Sequence, residues 1–150
     1  MTHKPNIMIQ RVQTIFLLIS VLLSALLLYL PVYELQSMAM NTTEITRFTI
    51  SSSAILAIIN GVVGVFCFVA IFLFKKRNLQ LRICNLSLLL TCVLIGLLFF
   101  VADTMSSSMN QKVHYLYGSY FPLMQILFIF LATRYIKRDD ELVRSADRLR

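Results

Sequence analysis

Four long apolar stretches without a charged side chain constrain this chain more than any other feature. They run Val12–Tyr33, Ser53–Phe74, Ile83–Ala102 and Gly118–Thr133. About 20 helical residues cross the roughly 30 Å of a bilayer's hydrocarbon. A soluble domain of 150 residues has too little interior to bury four helices that are apolar on every face. The composition agrees, with 58% hydrophobic and 14% charged residues and a mean hydropathy of +0.77. The sequence therefore predicts an all-α membrane protein, one domain over residues 1–150, built as an antiparallel bundle of four transmembrane helices. The approximate spans are 12–33, 53–74, 83–102 and 118–136, followed by a tail at 137–150.

The charges orient that bundle. Lys4 and Arg11 precede the first span; Lys75, Lys76, Arg77 and Arg82 separate the second from the third; Arg134, Lys137, Arg138, Arg144, Arg148 and Arg150 follow the fourth stretch. Only Arg47 and Lys112 fall in the other two connections. Basic residues stay on the cytoplasmic side, so both termini and the middle connection are expected there. The net charge of +7 is on this reading a topology signal whose partners are membrane lipids, anionic headgroups included. The cations flank span ends and form no single patch with interleaved aromatics, so no nucleic acid is expected. The first apolar run is long for a signal peptide's core, and its nearest small-x-small site, Ser37-Met38-Ala39, lies beyond it; it is read as a retained helix.

The outer connections are β-prone. In "VYELQSMAMNTTEITRFTI", Thr46, Phe48 and Ile50 alternate with Arg47 and Thr49, and Asn41-Thr42-Thr43-Glu44 offers turn chemistry between two arms. In "KVHYLYG", Val113, Tyr115 and Tyr117 alternate with His114 and Leu116. A hairpin plus a third strand would cap the outer end as a small sheet, since a lone hairpin is marginal in water. At the other end, Asp139, Asp140 and Glu141 suit the start of a helix dipole, while Arg148 and Arg150 suit its finish. Leu142, Ala146 and Leu149 share a face. The tail is therefore predicted to be a separate amphipathic cytoplasmic helix.

Within the spans, uncharged polar and small residues are the features of interest. Counting about 1.5 Å per residue from the outer boundary puts Ser24, Asn60, Gly96 and Gln125 at one depth, about 10–12 Å in. They are read as a polar packing layer, or alternatively as a transport site. Ser53, Ala57 and Gly61, with Gly64 a turn on, form a small-residue stripe suited to helix packing or to a homo-oligomer. Pro122 sits in a first helical turn, where proline is tolerated. Cys67, Cys84 and Cys92 read as packing residues. His3 and His114 have no ligand-spaced partner, no Gly-rich phosphate loop occurs, and the few carboxylates lie outside the spans. No enzyme activity, cofactor or metal is expected. Asn41-Thr42-Thr43 matches a glycosylation sequon, which has meaning only in a eukaryotic protein.

The opening "MIQRVQTIFLLIS" (Met8–Ser20) and the closing "KRDDELVRSADRLR" (Lys137–Arg150) resemble a bacterial integral-membrane family catalogued as domain of unknown function 4293. The resemblance covers the whole chain and implies a bacterial inner-membrane protein of four helices with no established activity. The leading expectation is a small non-enzymatic subunit or adaptor that presents its cytoplasmic face to a protein partner or to lipid headgroups. The residues that would do so are Arg11, Lys75, Lys76, Arg77, Arg82, Arg138, Leu142, Arg144, Arg148 and Leu149.

Overall fold

The first helix, α1 (Pro5–Leu27), opens on proline, whose fixed φ suits a first helical position. It stops well before Tyr33. Tyr29 and Leu30 both donate backbone N–H to Leu26 O, which tightens the last turn, and Pro31 disfavours helix at Leu30. The expected span to residue 33 is therefore too long, and residues from Pro31 onward belong to a strand. The structure is a computed structural model that describes the backbone of residues 5–39, 42–109 and 111–148, with side chains within 12–36, 45–74, 76–109 and 111–141.

Strand β1 (Pro31–Ala39) is the centre of a three-stranded sheet ordered β2-β1-β3, with β2 at Thr42–Thr49 and β3 at Lys112–Tyr115. Both neighbours pair antiparallel with β1, which brings Tyr33, Phe48 and Tyr115 into one row and Glu34, Arg47 and His114 into the next. The expected three-stranded sheet is thus present, but the expected alternation is only partly kept: Ile50 and Tyr117 fall in 3-10 turns, and Thr46 and Tyr115 are exposed. Thr42, Thr43 and Glu44 lie within β2 rather than in a turn, and the link at 40–41 lies outside the described residues. An irregularity between Pro31 and Tyr33 lets successive residues, Val32 and Tyr33, both be buried. Tyr33 stacks on Phe48 and donates its hydroxyl to Met105 Sδ at 3.8 Å. Gly118 lies against the Pro31 carbonyl, where a Cβ would collide with backbone.

Helix α2 (Ala54–Phe72) ends in a 3-10 turn, Leu73–Lys75. Helix α3 (Arg77–Met109) runs beyond the expected 83–102 at both ends. Its last turns carry short polar residues that a helix accommodates by back-bonding: Thr104 Oγ1 donates to Phe100 O and Ser108 Oγ to Thr104 O, both at 2.8 Å. Helix α4 (Phe121–Arg148) is continuous through the expected tail. Residues 137–148 are therefore not a separate amphipathic helix. No Gly or Pro interrupts the chain after Pro122, and Asp139 lies mid-helix, away from any helix N-terminus.

Each helix packs on two others, α1 on α2 and α4, and α3 on α2 and α4. The bundle buries polar side chains beside its apolar core and leaves many large apolar ones exposed. Its interior holds Gln13, Ser20, Ser24, Asn60, Ser87, Thr91 and Gln125, while Ile15, Leu22, Ile58, Phe68, Leu89 and Phe130 are more than half exposed. Among the described residues, three helices are long and apolar enough to cross a membrane: Ala54–Phe72, Arg77–Met109 and the segment Tyr117–Glu141. Val12–Leu27 is a shorter apolar helix. An apolar belt of this extent is the mark of a membrane-associated surface.

Candidate functional site

Two apolar clusters divide the interior. One, near the capped end, gathers Leu27, Val32, Ile50, Leu56, Leu94 and Leu98. The other, toward the basic end formed by Lys75–Arg82 and the start of the tail, gathers Leu17, Val63, Cys67, Cys84, Ile129 and Ile136. Polar side chains lie between them. Asn60 Nδ2 donates to Ser24 O at 2.9 Å, and Ser24 Oγ sits 3.0 Å from Asn60 O and 3.3 Å from Asn60 Oδ1. This reciprocal pair fixes α1 on α2. Gly64 makes the approach possible, because a Cβ there would come within 2.7 Å of Ser24 Oγ. Gln125 on α4 donates to Ser20 O at 3.4 Å, while its Oε1 is buried with no partner.

Gly96 does not join this layer. It is exposed, with nothing within 4 Å of where a Cβ would stand. Counting depth from span ends misplaced it, because α3 overshoots the outer boundary. The buried residue on α3 at this level is Thr91. Cys84 touches Thr133 and Arg77 touches Asp139, so antiparallel counting carries Thr91 to Gln125. Thr91 Oγ1 donates to Ser87 O at 2.8 Å, and Ser87 in turn contacts Cys67. The small-residue stripe also divides. Gly64 faces Ser24, Ala57 packs partly against the capped-end cluster, Ser53 is half-buried, and Gly61 opens outward with no neighbour.

At the basic end, Arg77 Nη2 lies 3.1 Å from Asp139 Oδ2, with the Asp139 side chain 2% exposed and that of Arg77 21%. Arg77 Nη1 also donates to Asp139 O at 3.5 Å. One turn along α3, Gln80 is buried and its Nε2 donates 2.9 Å to Ala70 O, satisfying a carbonyl at the end of α2. Sequence reasoning missed Arg77–Asp139, Gln80 and Gln13. The signal was present: Gln80, Cys84, Ser87, Thr91, Leu94 and Leu98 repeat at three- and four-residue steps, as do Gln125, Ile129, Ala132, Ile136 and Asp139. Arg77 is thus engaged within the bundle, whereas Lys76, Arg82 and Arg138 are exposed. The Arg11, Lys75, Leu142, Arg144 and Arg148 side chains, and Leu149 entirely, lie outside the described residues.

Among the described residues, no three His, Cys, Asp or Glu side chains are grouped to hold a metal ion. Instead the arrangement holds helices in register and carries α4 past the apolar zone, clamped at Asp139. Residues 9–149 match the family described as Domain of unknown function (DUF4293). The chain belongs to that family. No curated protein and no solved structure matches it. Within this DUF4293 chain, the match begins in the second turn of α1 and closes after the last turn of α4, so all of the bundle and its cap except residues 5–8 falls inside the family's bounds.

Proposed function

We propose that this DUF4293 protein is a small non-enzymatic inner-membrane subunit or adaptor of a bacterium. Four helices cross the bilayer, both termini are cytoplasmic, and the basic end is offered to a protein partner. Helix α1 is taken as the fourth span: its apolar part, Val12–Leu27, extends about 24 Å, and a bilayer accommodates a short stretch by local thinning and by snorkelling of flanking residues. The observation that carries the adaptor reading is the Arg77–Asp139 pair. A buried ion pair contributes little net stability compared with apolar residues of the same volume, and its use is in fixing one arrangement. Here it fixes the point where α4 leaves the apolar zone, so the charged continuation projects in a defined direction. Co-purification from the native membrane tests this. Asp139→Asn and a chain stopped after Lys137 should lose the same partner set. An unchanged set in both would overturn docking by this end.

A second reading follows from Gln125, whose buried Oε1 lacks a donor. Together with Ser24 and Asn60 it supports a polar intramembrane site in a transport or lipid-handling system. On that reading Asn60→Leu and Gln125→Leu abolish function with folded protein retained. On the packing reading they lower bundle stability instead.

A further inference from the structure

At the basic end, α3 and α4 part to leave a groove of about 510 Å³. Asn78, Leu81 and Asn85 line it from α3, and Thr133, Lys137, Asp140 and Glu141 line it from α4. It straddles the place where the apolar stretch of α4 gives way to charge. From this groove we infer a site for one phospholipid with a zwitterionic, primary-amine headgroup. The chemistry of the lining follows the order of such a lipid from tail to tip. Seven residues are about two helical turns, so Cys92 repeats the position of Asn85 on α3 and Phe130 that of Lys137 on α4. Both are exposed, and they extend the groove into the apolar zone as a track for acyl chains. Asn85 stands where ester and glycerol oxygens would lie, beside Thr133, whose hydroxyl donates to Ile129 O at 2.9 Å. Lys137, with the Asn78 amide near the same level, suits the phosphate. Asp140 and Glu141, up to about 6 Å further along the helix axis, suit the ammonium.

The lining disfavours the competing headgroups, one by charge and one by hydrogen bonding. An anionic glycerol headgroup would place no cation against Asp140 and Glu141, and its phosphate would meet their repulsion. A quaternary amine carries no N–H for the carboxylates or the asparagine oxygens to accept. The opposite flank of α4 differs: a smaller hollow there is lined by Leu131, Arg134, Tyr135 and Arg138, without a carboxylate. Selectivity for an amine headgroup is therefore a property of the α3–α4 flank.

The inference rests on the membrane-spanning reading, and its test separates the two. The full-length protein, in detergent micelles doped with equimolar phosphatidylethanolamine, phosphatidylcholine and phosphatidylglycerol of matched acyl chains, is analysed by native mass spectrometry. One bound phosphatidylethanolamine should exceed either competitor by roughly threefold to tenfold, the scale of two exposed charge pairs. The double variant D140N/E141Q should bring that ratio to about one. Lys137→Glu, at the phosphate common to all three lipids, should weaken retention of all three together. Equal binding of all three lipids by the native chain, an unaltered preference in D140N/E141Q, or undiminished lipid retention by Lys137→Glu would overturn the inference. Absence of any retained lipid would instead count against membrane embedding itself.

Discussion

At the scale of single residues, two glycines and one asparagine carry the helix contacts. Gly64→Ala forces Ser24 Oγ to rotate, because the new Cβ would stand 2.7 Å from it, and the bonds that Oγ donates to Asn60 go with it. Interhelical hydrogen bonds in membrane bundles average about 0.6 kcal/mol and reach about 1.7. Both Gly64→Ala and Asn60→Ala should therefore cost about 1–2 kcal/mol. In detergent unfolding Ser24→Ala and Asn60→Ala should each be destabilising and nearly additive, because the closer bonds end on backbone carbonyls; two neutral variants would contradict the pair. Gly118→Ala should cost about 1–3 kcal/mol by overpacking, since its Cβ meets backbone at Pro31, which cannot turn aside. Tyr33 gives a pH signature. Burial first, and the neighbouring Tyr115 second, push its hydroxyl above the ordinary tyrosine value. Above about pH 10 an unfolded Tyr33 loses its proton while the folded one retains it. The folded state then binds more protons, and stability falls as pH rises through that range. Tyrosinate absorbance should show a late-titrating group that Tyr33→Phe removes.

At the scale of elements, the helices were legible because charge-free apolar runs admit little else, and the sheet was legible because alternating Tyr, Thr and Val leave one face to bury. The boundaries were less so. Pro31 is a clear strand and turn signal, but the apolar run continues past it to Tyr33, and hydropathy alone ignores backbone geometry. The α3 overshoot rests on Ser and Thr back-bonding, which composition reads as loop. Asp139 was taken for a helix start because charge order suits a dipole, and its partner Arg77 lies 62 residues away, beyond any local pattern. The layer on α3 was placed at Gly96 and belongs at Thr91 for the same reason: depth depends on where a helix truly starts. Asp139→Leu should leave Arg77 without its counter-charge at the α3–α4 contact and cost about 3 kcal/mol. Amide exchange should then accelerate in 139–148 while the capped end keeps its protection. Uniform acceleration across the bundle would show that the pair does not act as a local clamp.

At the scale of the molecule, an apolar exposed surface and polar groups set between apolar clusters go together. A bundle whose exposed surface carries Leu22, Ile58, Phe68, Leu89 and Phe130 gains nothing by hiding apolar residues from lipid, and its helices adhere through small-residue contacts and hydrogen bonds. The sheet closes one end, and the basic turns and the α4 continuation mark the other. The most direct test is vectorial thiol labelling. With Cys67, Cys84 and Cys92 replaced by serine or alanine, single cysteines are introduced at Thr2, Thr46 and Lys76. They are probed with a membrane-impermeant maleimide in sealed vesicles of both orientations. Thr2→Cys and Lys76→Cys should label only from the cytoplasmic face and Thr46→Cys only from the opposite one. Labelling of positions 2 and 76 from opposite faces would show that α1 or α2 does not cross, and would contradict the four-span bundle.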